Sequence, residues 1–358
     1  MKTCFTSLVV LAAAAHSAHG WWDNGHMMVA EVATQCLASE DLATLTALLS
    51  GYDKEFPNTG YPTTAAIWPD LMKCDSFVST YCPSDKTPAL KMLDEWHYIN
   101  LPLNVDGTDF QNLTSKDGDK LLKASMGGQS NEVLAKTLVM FGKTQSDHAA
   151  NFGLRMLLHI FGDMQNPMHD VAGQAPQFPT GDAGGNFWNF PKGCVGSNLH
   201  GLWDSVGGKY GAVNWSPTFV AGTPDYDALK ANATKLAAKF TAADDKLGFD
   251  AYKNVPYADF VAAMNGKAFN GKIFDNILES YDIARAVAYK GLDFTCDMSS
   301  GRCVIPCPSQ SYVDTLIATA EKSIAVGGKR LCVVLTQLAR QIRALKLTNP
   351  NKPTPAPT

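Results

Sequence analysis

The chain has 358 residues, of which 46% are hydrophobic and 18% charged, with a formal net charge of −4 at pH 7. That composition is globular, with ample material for a core, and the mildly acidic balance excludes a non-specific duplex binder of the basic kind. Beyond the first 20 residues no stretch approaches the apolar length of a membrane span, so no transmembrane anchor is expected there.

In chain order, the first segment reads as an export signal. Lys2 supplies a short basic start, "LVVLAAAA" an apolar core too short to span a bilayer, and small residues lead to Gly20. Its removal takes the charge from −4 to −5, because Lys2 is the only charged residue it carries. Cuts after Ala18 and after Gly20 both satisfy the small-residue rule. Of the nine cysteines, Cys4 leaves with this segment, and the remaining eight read as disulfides of an oxidising compartment, with their pairing open. A zinc knuckle of Cys296, Cys303 and Cys307 is the competing arrangement; the compartment and the lack of a nearby histidine argue against it. Sequons at Asn112, Asn214 and Asn232 are candidate glycan sites, the middle one weakened by Pro217.

Helical periodicity dominates the rest of the chain. "GHMMVAEVATQCL" and "SEDLATLTALLSG" predict two helices, the second capped at Ser39, acidic in its first turn and closed at Gly51. "HAANFGLRMLLHIFGDM", "IFDNILESYDIARAVAYKG" and "SYVDTLIATAEKSIAVGGKRLCVVLTQLARQIRAL" place apolar residues at i, i+3, i+4 and i+7. Alternating strand patterns are scarce. Residues 171–197 form a Gly/Pro/Asn-rich loop, and a loop that long inside a compact domain is usually functional. The expected organisation is a signal peptide over 1–20, one all-α, mainly helical domain over 21–346, and a Pro/Thr-rich disordered tail over 347–358.

Chemistry concentrates on the histidines. After residue 20 these are His26, His97, His148, His159, His169 and His200. "HIFGD" sets His159 and Asp163 four apart, and "HGLWD" does the same for His200 and Asp204, so each pair shares one helix face. One such pair is usually a salt bridge. Two of them, with His169 in "NPMHD", point to a divalent ion, and nitrogen and oxygen donors suit zinc. Asp70 in "AAIWPDLMK" reads alone as a helix cap, and His97 in "DEWHYINLP" as a core histidine; in combination they join the candidate ligands.

From "WWDNGH" through "IWPD", "WHYINLP", "HIFGDMQNPMHD", "GDAGGN" and "NLHGLWD" to "ESYDIARAVAY" and "GGKRL", the chain resembles the secreted, trinuclear-zinc, single-strand-specific nucleases of fungi and plants, a family that includes the 3′-nucleotidase/nucleases of trypanosomatid parasites. The resemblance covers nearly the whole chain after residue 20 and implies a fold shared with zinc-dependent phospholipase C. It also implies three Zn2+ ions. One would be held by Asp70, His97, His159 and Asp163, and a second by His169, His200 and Asp204. The third would take His26, a bridging Asp163, and the amino nitrogen and carbonyl oxygen of Trp21. A terminal amine binds metal only when free and deprotonated, which favours the cut after Gly20. His148 matches no ligand and is read as structural.

Further roles implied by the resemblance concern substrate. Asp70 would orient the attacking water. Lys73 stands where the family often has arginine and would offset transition-state charge, a solvated lysine being the alternative. Tyr98 would stack on a base, with Asn100 beside it where fungal members often carry aspartate. Asn186 and the "GDAGGN" glycines would let backbone approach the nucleotide, a simple turn being the alternative. The expected activity of this secreted monomer is endonucleolytic cleavage of single-stranded DNA and RNA to 5′-phosphate products, and removal of 3′-phosphates from nucleotides. A phospholipase C is the runner-up, although its last helical pair is His-x-x-x-Glu where this chain has "HGLWD". A secreted binding protein with structural metals fits less well, because such sites are closed and usually cysteine-rich.

Overall fold

One-sided apolar stretches become helices, and the computed structural model describes them over residues 21–72 and 91–348, apart from 212, 268–269, 297 and 299–301. The expected export segment, Lys73, Cys74, Cys82 and residues 349–358 of the expected tail lie outside the described residues. Helices α1 (Asp23–Gln35), α2 (Ser39–Ser50), α3 (Pro62–Ala65) and α4 (Trp68–Leu71) come first. Strand β1 (Leu101–Asn104), α5 (Gly118–Lys123), α6 (Ser130–Phe141), α7 (Asp147–Asp163), α8 (Pro167–Asp170) and β2 (Val171–Gln174) are next. Then come β3 (Trp188–Asn189), α9 (Leu199–Asp204), α10 (Pro224–Lys239), α11 (Tyr257–Asn265), α12 (Lys272–Ile283), β4 (Cys303–Val304) and α13 (Gln310–Ala344). The fold is all-α in class, as expected.

Helix α13, 35 residues and about 52 Å long, is the spine; α1, α2, α7 and α10 pack along it. Two adjacent glycines make the closest approach possible. A Cβ on Gly328 would lie 2.5 Å from Val32 Cβ, and one on Gly327 2.4 Å from Gln165 Cγ. Each glycine costs a helix interior about 1 kcal/mol, so the price of "GGKRL" is set against packing of α1 and the turn after α7. Past the end of α13, Leu347 is buried in the same core.

One local expectation at α2 is corrected. Ala38, not Ser39, occupies the cap position of α2, and no side chain caps it; Ser39 lies one residue inside, where Glu40 and Asp41 still favour the helix start. Gly51 closes that helix with φ −51°, so the freedom peculiar to glycine is not used. Helix α12 does continue through "ARAVA", but as a π-helical turn over Ala284–Ala288.

Six cysteines pair among the described residues: Cys36–Cys332, Cys194–Cys307 and Cys296–Cys303. Because Cys296, Cys303 and Cys307 are all so engaged, the zinc-knuckle alternative is excluded. The short strands matter most for position. β1 and β2 are parallel, from Leu101 opposite Val171 to Asn104 opposite Gln174, and each begins just after a candidate ligand, His97 or His169.

Candidate metal centre

Helix α7 carries His159 and Asp163 on one face, with Nε2 3.5 Å from Oδ2. The chain then turns at Asn166, whose side chain accepts from Met168 N and starts α8 with His169 in its last turn. Pairing of the strands extends back to the ligands, since Ile99 N donates to His169 O at 2.8 Å. That register carries His97 next to His169. Helix α4 contributes Asp70 from within the helix rather than at its cap. From α1 comes His26, stacked on His159 with ring centroids 3.8 Å apart. Gly162 makes room for it, because a Cβ there would sit 2.7 Å from His26 Nδ1.

Asp163 is the hub. Its carboxylate lies 3.3 Å from His26 Nε2, 3.3 Å from His97 Nδ1, 3.5 Å from His159 Nε2 and 3.7 Å from His169 Nδ1. Asp70 Oδ1 is 3.6 Å from His159 Nε2 and 3.9 Å from His97 Nδ1. The second group is His169, His200 and Asp204, with His200 Nε2 3.3 Å from Asp204 Oδ2 and the two imidazoles 4.9 Å apart.

These separations test the fit to metal. Two donors each about 2.0–2.1 Å from one ion at tetrahedral angles sit about 3.3–3.4 Å from each other, whereas charge-assisted hydrogen bonds are about 2.7–2.9 Å. Both Asp163 oxygens and both His26 ring nitrogens are buried without a hydrogen bond of good geometry, a costly state for groups of this kind unless something binds them. His159 Nε2 and His97 Nδ1, 3.0 Å apart, share a hydrogen bond instead. The donors are spaced for ions.

Outer partners fix which atom points inward. His159 Nδ1 bonds Ala66 O at 2.6 Å, His169 Nδ1 bonds His97 O at 2.9 Å, and His200 Nδ1 bonds Gly184 O at 2.7 Å. In each case the carbonyl accepts the Nδ1 proton and leaves Nε2 as the lone-pair donor. Asp204 Oδ1 accepts from Asn166 Nδ2 at 2.7 Å, which leaves Oδ2 facing His200. Burial pushes the His159 imidazole well below its ordinary value, and His26 beside it adds to the effect, so it is held in the neutral, ligating form. Burial alone would raise Asp163; the positive charge that His159, His169 and His26 would carry when protonated outweighs it and directs the carboxyl well below the usual range.

Trp21 is fully buried beside this nest. Its indole donates to Gly162 O at 2.9 Å, and the next amide, Trp22 N, donates to Asp204 O at 3.1 Å. His148 is exposed at the other end of α7, against Tyr52. Tyr98 and Asn100 are half-buried on the segment between His97 and β1, backed by residues 125–130: Gly127 O accepts from Asn100 N, and Tyr98 O accepts from Ser130 N. Asn186 is tied down instead of free: its Nδ2 donates to Ala183 O at 2.9 Å, and its oxygens face Asn198, the cap of α9.

The "GDAGGN" turn therefore has a scaffold role that its residues alone did not announce. Gly184, at φ +63°, presents the carbonyl that orients His200, and a Cβ there would meet Met168 O at 2.2 Å. Asp182 holds the turn by accepting from Gly173 N, Trp188 Nε1 and Tyr289 OH at 2.7–2.8 Å. Burial pushes its carboxyl up, and these donors pull it back only in part. Asn198 was findable as a cap signal directly before "LHGLWD", and Asn166 as one before Pro167; Asp182 had no signal of its own.

A buried nest of histidines and carboxylates on a helical frame, with no cysteine among its donors, defines a protein that could hold metal through nitrogen and oxygen ligands. The family model described as S1/P1 Nuclease matches residues 21–340, and the chain belongs to that family, whose members are metal-dependent nucleases. A comparison with curated proteins returned no match. Among the described residues no helix is long and apolar enough to cross a membrane.

Proposed function

We propose that this chain is a secreted, zinc-dependent phosphoesterase that cleaves single-stranded DNA and RNA endonucleolytically to 5′-phosphate products and removes 3′-phosphates from nucleotides. The observation that carries the reading is the convergence of imidazoles from α1, α7 and the approach to β1 on the single carboxylate of Asp163, at 3.3–3.5 Å. Asp70, His97, His159 and Asp163 would hold one zinc ion, His169, His200 and Asp204 a second, and His26, Asp163 and the free amino end of Trp21 a third. Divalent ions so placed lower the pKa of water towards neutrality and draw charge from phosphate oxygens.

The chain's own groups supply position. Asp70 has a side chain 11% exposed, against 0–3% for the imidazoles and carboxylates around it, so it is the donor that solvent reaches. Its carboxylate orients the attacking water and accepts the hydrogen bond that water offers. Tyr98 stacks on a base, a contact worth about 1–3 kcal/mol and indifferent to base identity, with Asn100 beside it. A base reaches such a platform only when unstacked, which selects single strands. Lys73 offsets charge on the phosphate, and Asn186 secures the turn beside the nucleotide.

The test is an assay of the mature protein on single-stranded DNA, RNA, 3′-AMP and phosphatidylcholine, with and without chelator, together with zinc per chain. Three zinc ions and chelator-sensitive hydrolysis of the first three substrates are expected. Hydrolysis of phosphatidylcholine alone, or none that depends on metal, refutes the proposal.

A further inference from the structure

A second concavity lies away from the metal centre. The parallel ribbon of β1 and β2 leaves the centre at Ile99 and His169 and ends, roughly 20 Å of extended chain later, at Val105 and Ala175, which line a groove of about 1230 Å³. Its walls mix apolar surface from Pro176, Leu292 and Phe294 with the polar groups of Gln177 and the Arg285–Asp109 ion pair. On its rim stands Asn112, the first sequon asparagine. We propose that Asn112 carries an N-linked glycan whose innermost N-acetylglucosamine units lie in this groove.

The three sequons differ in what the fold permits. Asn112 is exposed, with φ +59° at the end of a short turn whose peptide groups bond only locally, Asn112 N to Asp109 O and Leu113 N to Phe110 O. Asn232 is half-buried inside α10, and the hydroxyl of its sequon threonine, Thr234, is engaged with Lys230 O and Gln35. Asn214 is exposed, but its Nδ2 donates to Gly211 O at 3.3 Å and Pro217 comes directly after its serine. Among the described residues Asn112 is an exposed sequon asparagine that lines a groove.

The occupant follows from the tether. Sugars attached to Asn112 are held at high effective concentration over the groove, whose apolar walls suit the C–H faces of a pyranose while Gln177, Arg285 and Asp109 suit its hydroxyls. The donor is a polyprenyl-pyrophosphate-linked oligosaccharide of the secretory pathway. Asn112 Nδ2 forms a bond to C1 of the first sugar and loses one proton; the C1–O bond to pyrophosphate breaks, and the lipid pyrophosphate leaves with that electron pair. Seating of a glycan here does not depend on the reaction proposed for the metal centre.

To test it, the full chain with its own leader is expressed in a eukaryotic secretory host and each sequon's occupancy is read by glycopeptide mass spectrometry. Asn112 should be occupied, and an endoglycosidase cutting between the two core sugars should trim it about tenfold more slowly in the native than in the unfolded protein, as expected of a locally shielded bond. Leu292→Ser, on the groove wall but outside the stack of Phe294 with Trp188 and Tyr289, should remove most of that protection. An unmodified Asn112 in the secreted protein overturns the proposal, as does equal trimming of native and unfolded forms. A KM for long single strands raised by Leu292→Ser in glycan-free Asn112→Gln protein would give the groove to substrate, and also overturns it.

Discussion

Replacing Asn166 by alanine removes two interactions at once. Its Nδ2 donates to Asp204 Oδ1 at 2.7 Å, and its Oδ1 caps α8 by accepting from Met168 N at 3.1 Å. The first orients a carboxylate whose other oxygen faces His200. A hydrogen bond to a charged group contributes about 1.5–3 kcal/mol, which corresponds to about the 10–100-fold loss in metal affinity seen when outer partners of ligands are removed. The cap contributes about 1 kcal/mol to the fold. Asn166→Ser separates the two, since a serine hydroxyl still caps the helix but stops short of Asp204. Both variants should weaken the ion proposed at His169, His200 and Asp204 by about 10–100-fold, and both lose the bond to Asp204 in the chelator-treated protein, where Asn166→Ala should unfold with a free energy about 1 kcal/mol lower than Asn166→Ser because it alone also loses the cap. Zinc titration against a chromophoric competitor reads the first effect, urea melts of metal-free protein the second. Wild-type zinc affinity in both variants would show that Asp204 does not depend on Asn166, and the account of the outer frame would be wrong.

Three further outcomes are expected. Gly162→Ala places a methyl 2.7 Å from His26 Nδ1, so it should cost one bound ion and most activity with the helical circular-dichroism signal kept; full metal content in that variant would refute the packing argument. A Gly-Ser extension ahead of Trp21 should abolish most nuclease activity without unfolding the protein, and an unaffected extended enzyme would remove Trp21 from the ligand set. Burial lowers the His159 imidazole from its ordinary 6.5, so below that pH the unfolded chain takes up a proton that the folded chain refuses. Metal-free protein should therefore lose stability as pH falls from 6.5, by up to about 1.4 kcal/mol per unit from this group. Urea melts of wild type and His159→Gln between pH 7.5 and 5.5 should show a shallower slope in the variant, and identical slopes would contradict this reading.

What is legible in the residues alone is whatever a helix makes local. His159 with Asp163 and His200 with Asp204 can be paired on paper because 3.6 residues per turn sets i and i+4 side by side whatever surrounds them, and the apolar stripe of α13 announces its length in the same way. The cap of α2 escaped by one residue, since helix ends are the least sharply specified part of the pattern. The β1–β2 ribbon had no alternating signature to find, being four residues per strand and buried almost throughout. Yet that ribbon brings His97 to His169, and glycines at 162 and 184 admit His26 and aim His200. Which donors converge, which carbonyl fixes each imidazole, and where the groove beside Asn112 opens were all decided by contacts between segments distant in sequence. Residue type states what a side chain is able to bind; only the packed chain sets the few ångströms between donors on which binding depends.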